Sequence, residues 1–152
     1  LTEKIMPSVE QALGGRPAFS ALAGYSLAGL FALYAAYRTD AFLRFASASG
    51  SFWFPGFTDF VKEHPMRVRP EKLYLSLGDR ESHTKNPFLA PVAERTAWLH
   101  DWYRGKGIDA VYRQESGGHF HEPVLRMARG IHWILAGGIH PETDKEDHQH
   151  EK

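Results

Sequence analysis

Cysteine is absent from this sequence of 152 residues, and neither sign of charge is in excess. Without cysteine the chain can hold no disulfide, no catalytic thiolate and no zinc site with cysteine ligands. Its 18 Lys and Arg residues balance 18 Asp and Glu residues, so no net charge favours nucleic acid or an anionic membrane surface. We therefore expect neither nucleic acid nor a membrane among its partners.

Long apolar runs are also missing. The longest, residues 27–37, is too short to span a bilayer, and the chain does not begin with the basic-then-apolar pattern of a signal peptide. We expect a cytoplasmic location. Because the first residue is Leu1 rather than Met, we also expect that the chain was processed or is a segment of a longer protein.

The composition, with 43% hydrophobic and 24% charged residues, is typical of a single globular domain with a core of its own. We assign residues 1–136 to that domain and predict that residues 137–152, which are polar and rich in histidine, form a disordered tail. Helical patterns cover residues 2–13, 27–38, 59–64, 91–104 and 122–135, and strand patterns cover residues 18–26, 42–49, 72–78 and 107–118.

This alternation predicts an α/β fold, a parallel sheet of about four strands flanked by helices, because each parallel connection must cross over the sheet. We expect helix 27–38 to be buried nearly all round and the tryptophans of the later helices to pack in the core. Helix 122–135 carries apolar residues at helical spacing: Val124, Leu125, Ala128, Ile131, Ile134 and Leu135.

The segment "AGYSLAGLFALYAAY", residues 23–37, places Ser26 where a strand ends and a helix begins. Small neighbours such as Gly24 suit a tight strand-to-helix turn that exposes a nucleophilic serine. The N–H of Leu27, at the helix start, could then hold an oxyanion. The usual pattern is G-x-S-x-G, whereas Ala28 stands here where the second glycine belongs and Gly29 follows it. The alternative is a serine that only caps the helix.

A nucleophilic serine needs a base, and "ESGGHFHEP" supplies His119 just after the last predicted strand. His121 is the rival base, and the His-x-His-Glu run could also be a weak metal site, which we rank below the base because no third ligand set is apparent. The alternative for His119 is a solvated loop histidine, but its position just after a strand end favours the base. We expect no metal and no cofactor.

The base needs an orienting acid, and "LYLSLGDRES" offers Asp79 and Glu81 after the third strand. Glu81 leads because a carboxylate three residues beyond the strand-terminal glycine is the common placement in serine hydrolases of this architecture. Asp79 is the alternative acid, although it could merely shape the turn. The chain order of serine, acid and histidine is that of the α/β-hydrolases.

The segments "GYSLAGLFALYA", "LYLSLGDRE" and "GGHFHEP" resemble an esterase branch of the α/β-hydrolases that includes esterase D-like enzymes and siderophore-ester esterases. The resemblance covers residues 18–135 and matches only the carboxyl-terminal half of such enzymes. It implies a serine esterase with Ser26 as nucleophile, His119 as general base and a carboxylate near Glu81. Some siderophore esterases of this kind manage with a Ser–His pair, which keeps the role of Glu81 open.

The aromatic residues Phe52, Trp53 and Phe54 follow the second strand, where we predict that they wall an apolar substrate pocket. The alternative is that they cover the core beneath a long loop. We predict a serine esterase that hydrolyses a siderophore or another apolar carboxylic ester through an acyl-enzyme. The alternative is a catalytically silent hydrolase-like domain that works by binding or assembly.

The strand before Ser26 is central in the enzymes that this chain resembles, yet one of its edges has no partner among the four strand patterns of the sequence. An unpaired apolar edge invites pairing with another chain. We therefore predict a homodimer through this edge, or association with a separate amino-terminal portion. In such enzymes that portion also supplies the second oxyanion donor.

Overall fold

The computed structural model describes residues 1–137. In chain order the elements are α1 (Ile5–Leu13), β1 (Ala21–Tyr25), α2 (Leu27–Arg38), β2 (Arg44–Ala48), α3 (Phe57–Glu63), β3 (Lys72–Gly78), α4 (Val92–Gly105), β4 (Asp109–Glu115) and α5 (Pro123–Leu135). The predicted tail of residues 137–152 lies, from residue 138 onward, outside the described residues.

The four strands form one parallel sheet in the order β1-β2-β3-β4, which confirms the predicted α/β fold and strand number. In register, Tyr25 lies beside Ala48, and Ala48 beside Ser76. Parallel strands end at the same edge of a sheet, so the segments after Tyr25, Ala48, Gly78 and Glu115 meet there. This carboxyl edge holds every site residue predicted from the sequence.

Helices cover both faces of the sheet. Alternate strand residues point to opposite faces, and Phe45 and Leu73 belong to the larger core cluster with α2, α3 and α4. Their neighbours Ala46 and Tyr74 point the other way and pack with Ile134 of α5. All five residues of β2 are buried, as expected for a strand covered on both faces.

Helix α5 buries only one of the six apolar residues that its sequence pattern suggested. Its buried residues are Arg126, Gly130 and Ile134, spaced one turn apart along the face on the sheet. The other five residues of the predicted apolar set are exposed: Val124, Leu125, Ala128, Ile131 and Leu135. Helical spacing identifies an apolar stripe, but here the sheet contacts the neighbouring stripe, where Gly130 allows close approach to Tyr74 and Ala46.

Two further expectations need correction. Helix α2 is not buried all round, since the side chains of Leu27 and Phe31 are 60% and 48% exposed. Both line an apolar groove of about 430 Å³ between α2 and α3. The tryptophans Trp98, Trp102 and Trp133 are only partly buried, and they pack against the edges of the two core clusters.

Strand β1 pairs on one side with β2, and no strand within residues 1–137 pairs with its other side. Helix α1 buries none of its residues and leaves Ile5, Val9 and Leu13 at least half exposed. Apolar surface therefore remains uncovered on α1 and on α5. Across the same described range, no helix has the length and apolar character needed to cross a membrane.

Candidate active site

Ser26 occupies a strained turn between β1 and α2. Its backbone has φ 58° and ψ −121°, a conformation that a residue with a side chain rarely adopts. Gly24 makes the turn possible, because a Cβ there would lie 2.1 Å from the carbonyl oxygen of Ala28. The Ser26 side chain makes no capping hydrogen bond to the helix, so the capping alternative does not hold.

The alanine in place of the usual second glycine is accommodated. Ala28 is exposed, so its methyl group displaces nothing. Close packing is required one position later, at Gly29, where a Cβ would lie 2.6 Å from the Ser47 hydroxyl. The departure from the common motif therefore leaves the turn intact.

His119 lies in the loop between β4 and α5, with its Nε2 atom 3.0 Å from the Ser26 hydroxyl. The hydroxyl of Tyr25, the residue before the serine, donates to the His119 carbonyl, and the two rings are 5.4 Å apart. The imidazole is 30% exposed, so it is accessible from the cavity that opens onto Ser26.

Glu81 lies on the far side of His119 from Ser26. Its Oε2 atom is 2.7 Å from Nδ1 of His119, and its Oε1 atom accepts the Gly78 N–H at 2.7 Å. Burial raises the pKa of Glu81, but hydrogen bonds from His119, the Gly78 amide and Ser49 outweigh it, so the pKa lies below its usual value. An ionised Glu81 accepts the Nδ1 proton, which leaves Nε2 free to accept a proton from Ser26.

The other two candidates have different contacts. Asp79 accepts the Gly117 N–H at 2.8 Å and so shapes the loop that carries His119. His121 packs its ring over Gly117, is about half exposed, and has Glu122 3.8 Å away. In the part of the chain that the structure describes, no group of three or more His, Cys, Asp or Glu residues could hold a metal ion.

Leu27 begins α2, where backbone N–H groups have no partner within the helix. Within residues 1–137 its N–H donates to no backbone carbonyl. It adjoins Ser26 and is free to donate to an oxyanion. Ser51, which the sequence did not single out, places its hydroxyl 3.4 Å from that of Ser26.

A cavity of about 290 Å³ opens onto the serine. Its lining residues are Ser26, Ser49, Gly50, Trp53, Glu81, Leu89, Val92, His119 and Phe120. The three aromatic residues predicted to wall a pocket separate here. Trp53 lines this cavity, Phe54 lines the apolar groove beside α2, and Phe52 is fully buried against Phe57. The expectation for Phe52 was therefore wrong, because its ring turns into the core.

Arg126 is the main site residue that the sequence analysis missed. Its side chain is 1% exposed, and its Nη1 atom donates to Oε1 of Glu81 at 2.8 Å. The only available signal was a charged residue inside the apolar pattern of residues 122–135. Such a pattern does not say which way the charge points.

No protein-family model matches this sequence, and a search among curated proteins also gives no match. The fold, by contrast, is similar to solved structures. The enterobactin esterase from Shigella flexneri superposes with a TM-score of 0.68 at 21% identity, over 88% of this chain and 36% of that one. An IroE-like serine hydrolase from Shewanella oneidensis gives 0.69 at 19% identity, over 88% and 45%.

An acylaminoacyl peptidase from Pyrococcus horikoshii also matches, with a TM-score of 0.59 at 14% identity, over 88% of this chain and 26% of that one. The chain thus spans less than half the length of each of these three proteins. Likeness at such identities concerns the fold, and it confirms at that level the resemblance noted in the sequence. Residues 1–137 form part of an α/β-hydrolase fold of the kind found in siderophore esterases.

Proposed function

We propose that this chain carries the catalytic residues of a serine esterase that hydrolyses a carboxylic ester through an acyl-enzyme. The observation that carries the proposal is the line of hydrogen bonds from Ser26 through His119 to Glu81, at 3.0 Å and 2.7 Å. The strained backbone of Ser26 supports it further, because strain of this kind is typical of a nucleophile held at a turn.

In the first half of the proposed reaction, Ser26 Oγ bonds to the ester carbonyl carbon while its proton passes to Nε2 of His119. The carbonyl oxygen becomes an oxyanion and accepts the Leu27 N–H. The carbon–oxygen bond to the alcohol then breaks, and His119 gives its proton to the leaving oxygen. Ionised Glu81 stabilises the imidazolium throughout.

In the second half, His119 takes a proton from water, and the resulting hydroxide attacks the acyl carbon. The bond to Ser26 Oγ breaks and the serine recovers its proton from His119. These steps use side chains of this chain, the Leu27 N–H and water.

The proposed substrate is an apolar ester, and a siderophore ester is the first specific candidate. Trp53, Leu89, Val92 and Phe120 give the cavity its apolar walls. The protein from Shigella flexneri is described as an enterobactin esterase, which supports a siderophore as the first substrate to test. The cytoplasmic location stays a prediction.

We also propose that a second copy of this chain, or a separate amino-terminal portion, pairs with the free edge of β1. The uncovered apolar residues of α1 and α5 support this partner. Leu27 is one oxyanion donor, and lack of a second costs about 100- to 1,000-fold in rate. An isolated monomer should therefore be a slow esterase. Sedimentation at low concentration tests the association, and a monodisperse, fully active monomer would contradict it.

Ester hydrolysis tests the proposed reaction. We expect measurable turnover of nitrophenyl esters over a series of acyl lengths and of a trilactone siderophore, all lost in Ser26→Ala. Hydrolysis that persists unchanged in Ser26→Ala would contradict Ser26 as the nucleophile. The other candidate is a catalytically silent hydrolase-like domain, and the absence of hydrolysis from a folded native chain with its partner would favour it.

A further inference from the structure

Arg126 is buried at the start of α5 and makes four hydrogen bonds to the site. Its Nη1 atom donates to Oε1 of Glu81 at 2.8 Å and to the Ser49 hydroxyl at 2.9 Å. Its Nη2 atom donates to the carbonyls of Ser116 and Gly118 at 2.8 Å and 3.1 Å. One rigid guanidinium therefore contacts the segments that follow β2, β3 and β4 at once.

Three of these four partners belong to the two segments that must be aligned for proton transfer. Glu81 is the acid, and the carbonyls of Ser116 and Gly118 lie in the loop that leads to His119. Room for the guanidinium depends on Gly78, where a Cβ would lie 2.8 Å from Nη2 of Arg126. The Glu81 carboxylate thus has one oxygen on Arg126 and the other on His119.

We infer that Arg126 is a positioning residue that aligns the Glu81 carboxylate and the His119 loop, so that Oε2 of Glu81 meets Nδ1 of His119. The inference rests on the proposed function. It goes beyond a structural role, since the guanidinium contacts Glu81 directly and contacts the loop that leads to His119 through the Ser116 and Gly118 carbonyls. A displacement of about 1 Å in such a pair can cost 100-fold in rate.

Arg126 also has an electrostatic effect that a purely structural residue would lack. Its positive charge offsets part of the Glu81 charge that faces His119, and at 1% exposure water screens it little. Removing it should favour the protonated imidazole and move the acidic limb of the rate profile to higher pH. Other titratable groups near this cluster are Tyr25 of β1, Asp79 after β3, Tyr112 of β4 and His121, which packs against Gly117.

The molecule supplies a matched control for this test. Arg44 begins β2, at the amino-terminal ends of the strands, and is 2% exposed. It donates to Oε2 of Glu71 at 2.9 Å and to the Ile134 carbonyl at 3.0 Å. It is not among the residues that line the cavity. The variants Arg126→Met, Arg126→Lys and Arg44→Met are compared with the native chain. The rate at which a fluorophosphonate labels Ser26 is measured across the pH range in which histidine titrates, and thermal unfolding gives the folded fraction.

We expect Arg126→Met to slow labelling by about 10- to 100-fold per folded molecule and to move the acidic limb to higher pH. Arg126→Lys keeps the positive charge, so the acidic limb of its pH–rate profile should lie at the native pH, and part of the labelling rate should be recovered. Arg44→Met should lose stability but keep the native rate and limb.

Native rates and an unmoved limb in both Arg126 variants would overturn the inference. If Arg126→Met does not fold, Arg126→Lys decides. A native labelling rate in Arg126→Lys, whose single ammonium group replaces the two contacting guanidinium nitrogens, would show that the guanidinium geometry is not needed. An equal loss of rate in Arg44→Met would also contradict it, since the effect would then be one of stability alone. A folded native chain that is not labelled in the presence of its partner would refute the proposed function itself, and the inference with it.

Discussion

Two buried arginines form hydrogen bonds at the two ends of helix α5, and their carboxylate partners differ in their other contacts. Arg44 reaches the carboxyl-terminal end of α5, donating to the Ile134 and Gly137 carbonyls and to Glu71. Arg126 reaches the loops at the other edge of the sheet through two carbonyls and Glu81. Each arginine thus pairs with one carboxylate and two backbone carbonyls.

The difference lies in the second oxygen of each carboxylate. Glu71 is 37% exposed, whereas Glu81 is 5% exposed and places its second oxygen on His119. The same local chemistry therefore serves stability at one edge and, in our proposal, alignment for catalysis at the other. A buried ion pair by itself does not indicate function. What distinguishes these two pairs is the group that the second carboxylate oxygen contacts.

Replacing Ser26 with Ala should have the largest effect on activity. Loss of the nucleophile should lower ester turnover by about a million-fold where the triad acts as a unit, while the free energy of unfolding changes little. Arg44→Met should show the reverse, with lower stability and native turnover. Ester assays and denaturant unfolding on both variants check this. Equal turnover in Ser26→Ala and the native chain would contradict it.

Replacing Glu81 with Gln should lower the labelling rate of Ser26 by about 100- to 10,000-fold. The Gln amide would present N–H to Nδ1 of His119 and force the tautomer that carries its proton on Nε2, where it cannot accept from Ser26. Glu71→Gln, at the other arginine, should leave the rate unchanged, and so should Asp79→Asn. A damaging Asp79→Asn with a silent Glu81→Gln would mean that Asp79 is the acid.

Replacing Gly24 with Ala should lower the free energy of unfolding by about 3 kcal/mol, at the upper end of the usual cost of overpacking, because the new methyl would overlap the Ala28 carbonyl. Gly105→Ala is the matched control at the last residue of α4, where no atom lies within 4 Å of the added Cβ. It should change stability little or raise it. Chemical unfolding of both variants provides the comparison, and equal stabilities would show that the Ser26 turn relaxes freely.

The smallest expected effect is a pH dependence of stability. The pKa of Glu81 in the folded chain lies below its usual 4.5, so its stabilising contribution is fully present above that value. It is lost as pH falls through the lowered pKa. Native and Glu81→Gln chains should therefore differ in unfolding free energy near neutral pH and converge in acid. A difference that grows towards low pH would mean that folding raises the pKa of Glu81 instead.

The placement of the three proposed catalytic residues was predictable from the sequence, because parallel strands end at the same edge of a sheet. Ser26, Glu81 and His119 each follow a strand in the sequence, so the sheet alone places them on one edge. The direction of a loop side chain was not predictable. The three successive residues Phe52, Trp53 and Phe54 show this, because they point to the core, the cavity and the groove respectively. The role of Arg126 was not predictable for a related reason. Helical periodicity identifies the face of a helix but not the group with which a charged side chain on it pairs.

Peptide mapping after reaction with a fluorophosphonate shows whether Ser26 is an activated nucleophile, because only an activated serine reacts readily with such a probe. We expect a single adduct, on the peptide that contains Ser26. The adduct should form in the native and Arg44→Met chains and be absent from Ser26→Ala. If a folded native chain with its partner present carries no adduct on Ser26, or carries one on another residue, Ser26 is not the nucleophile.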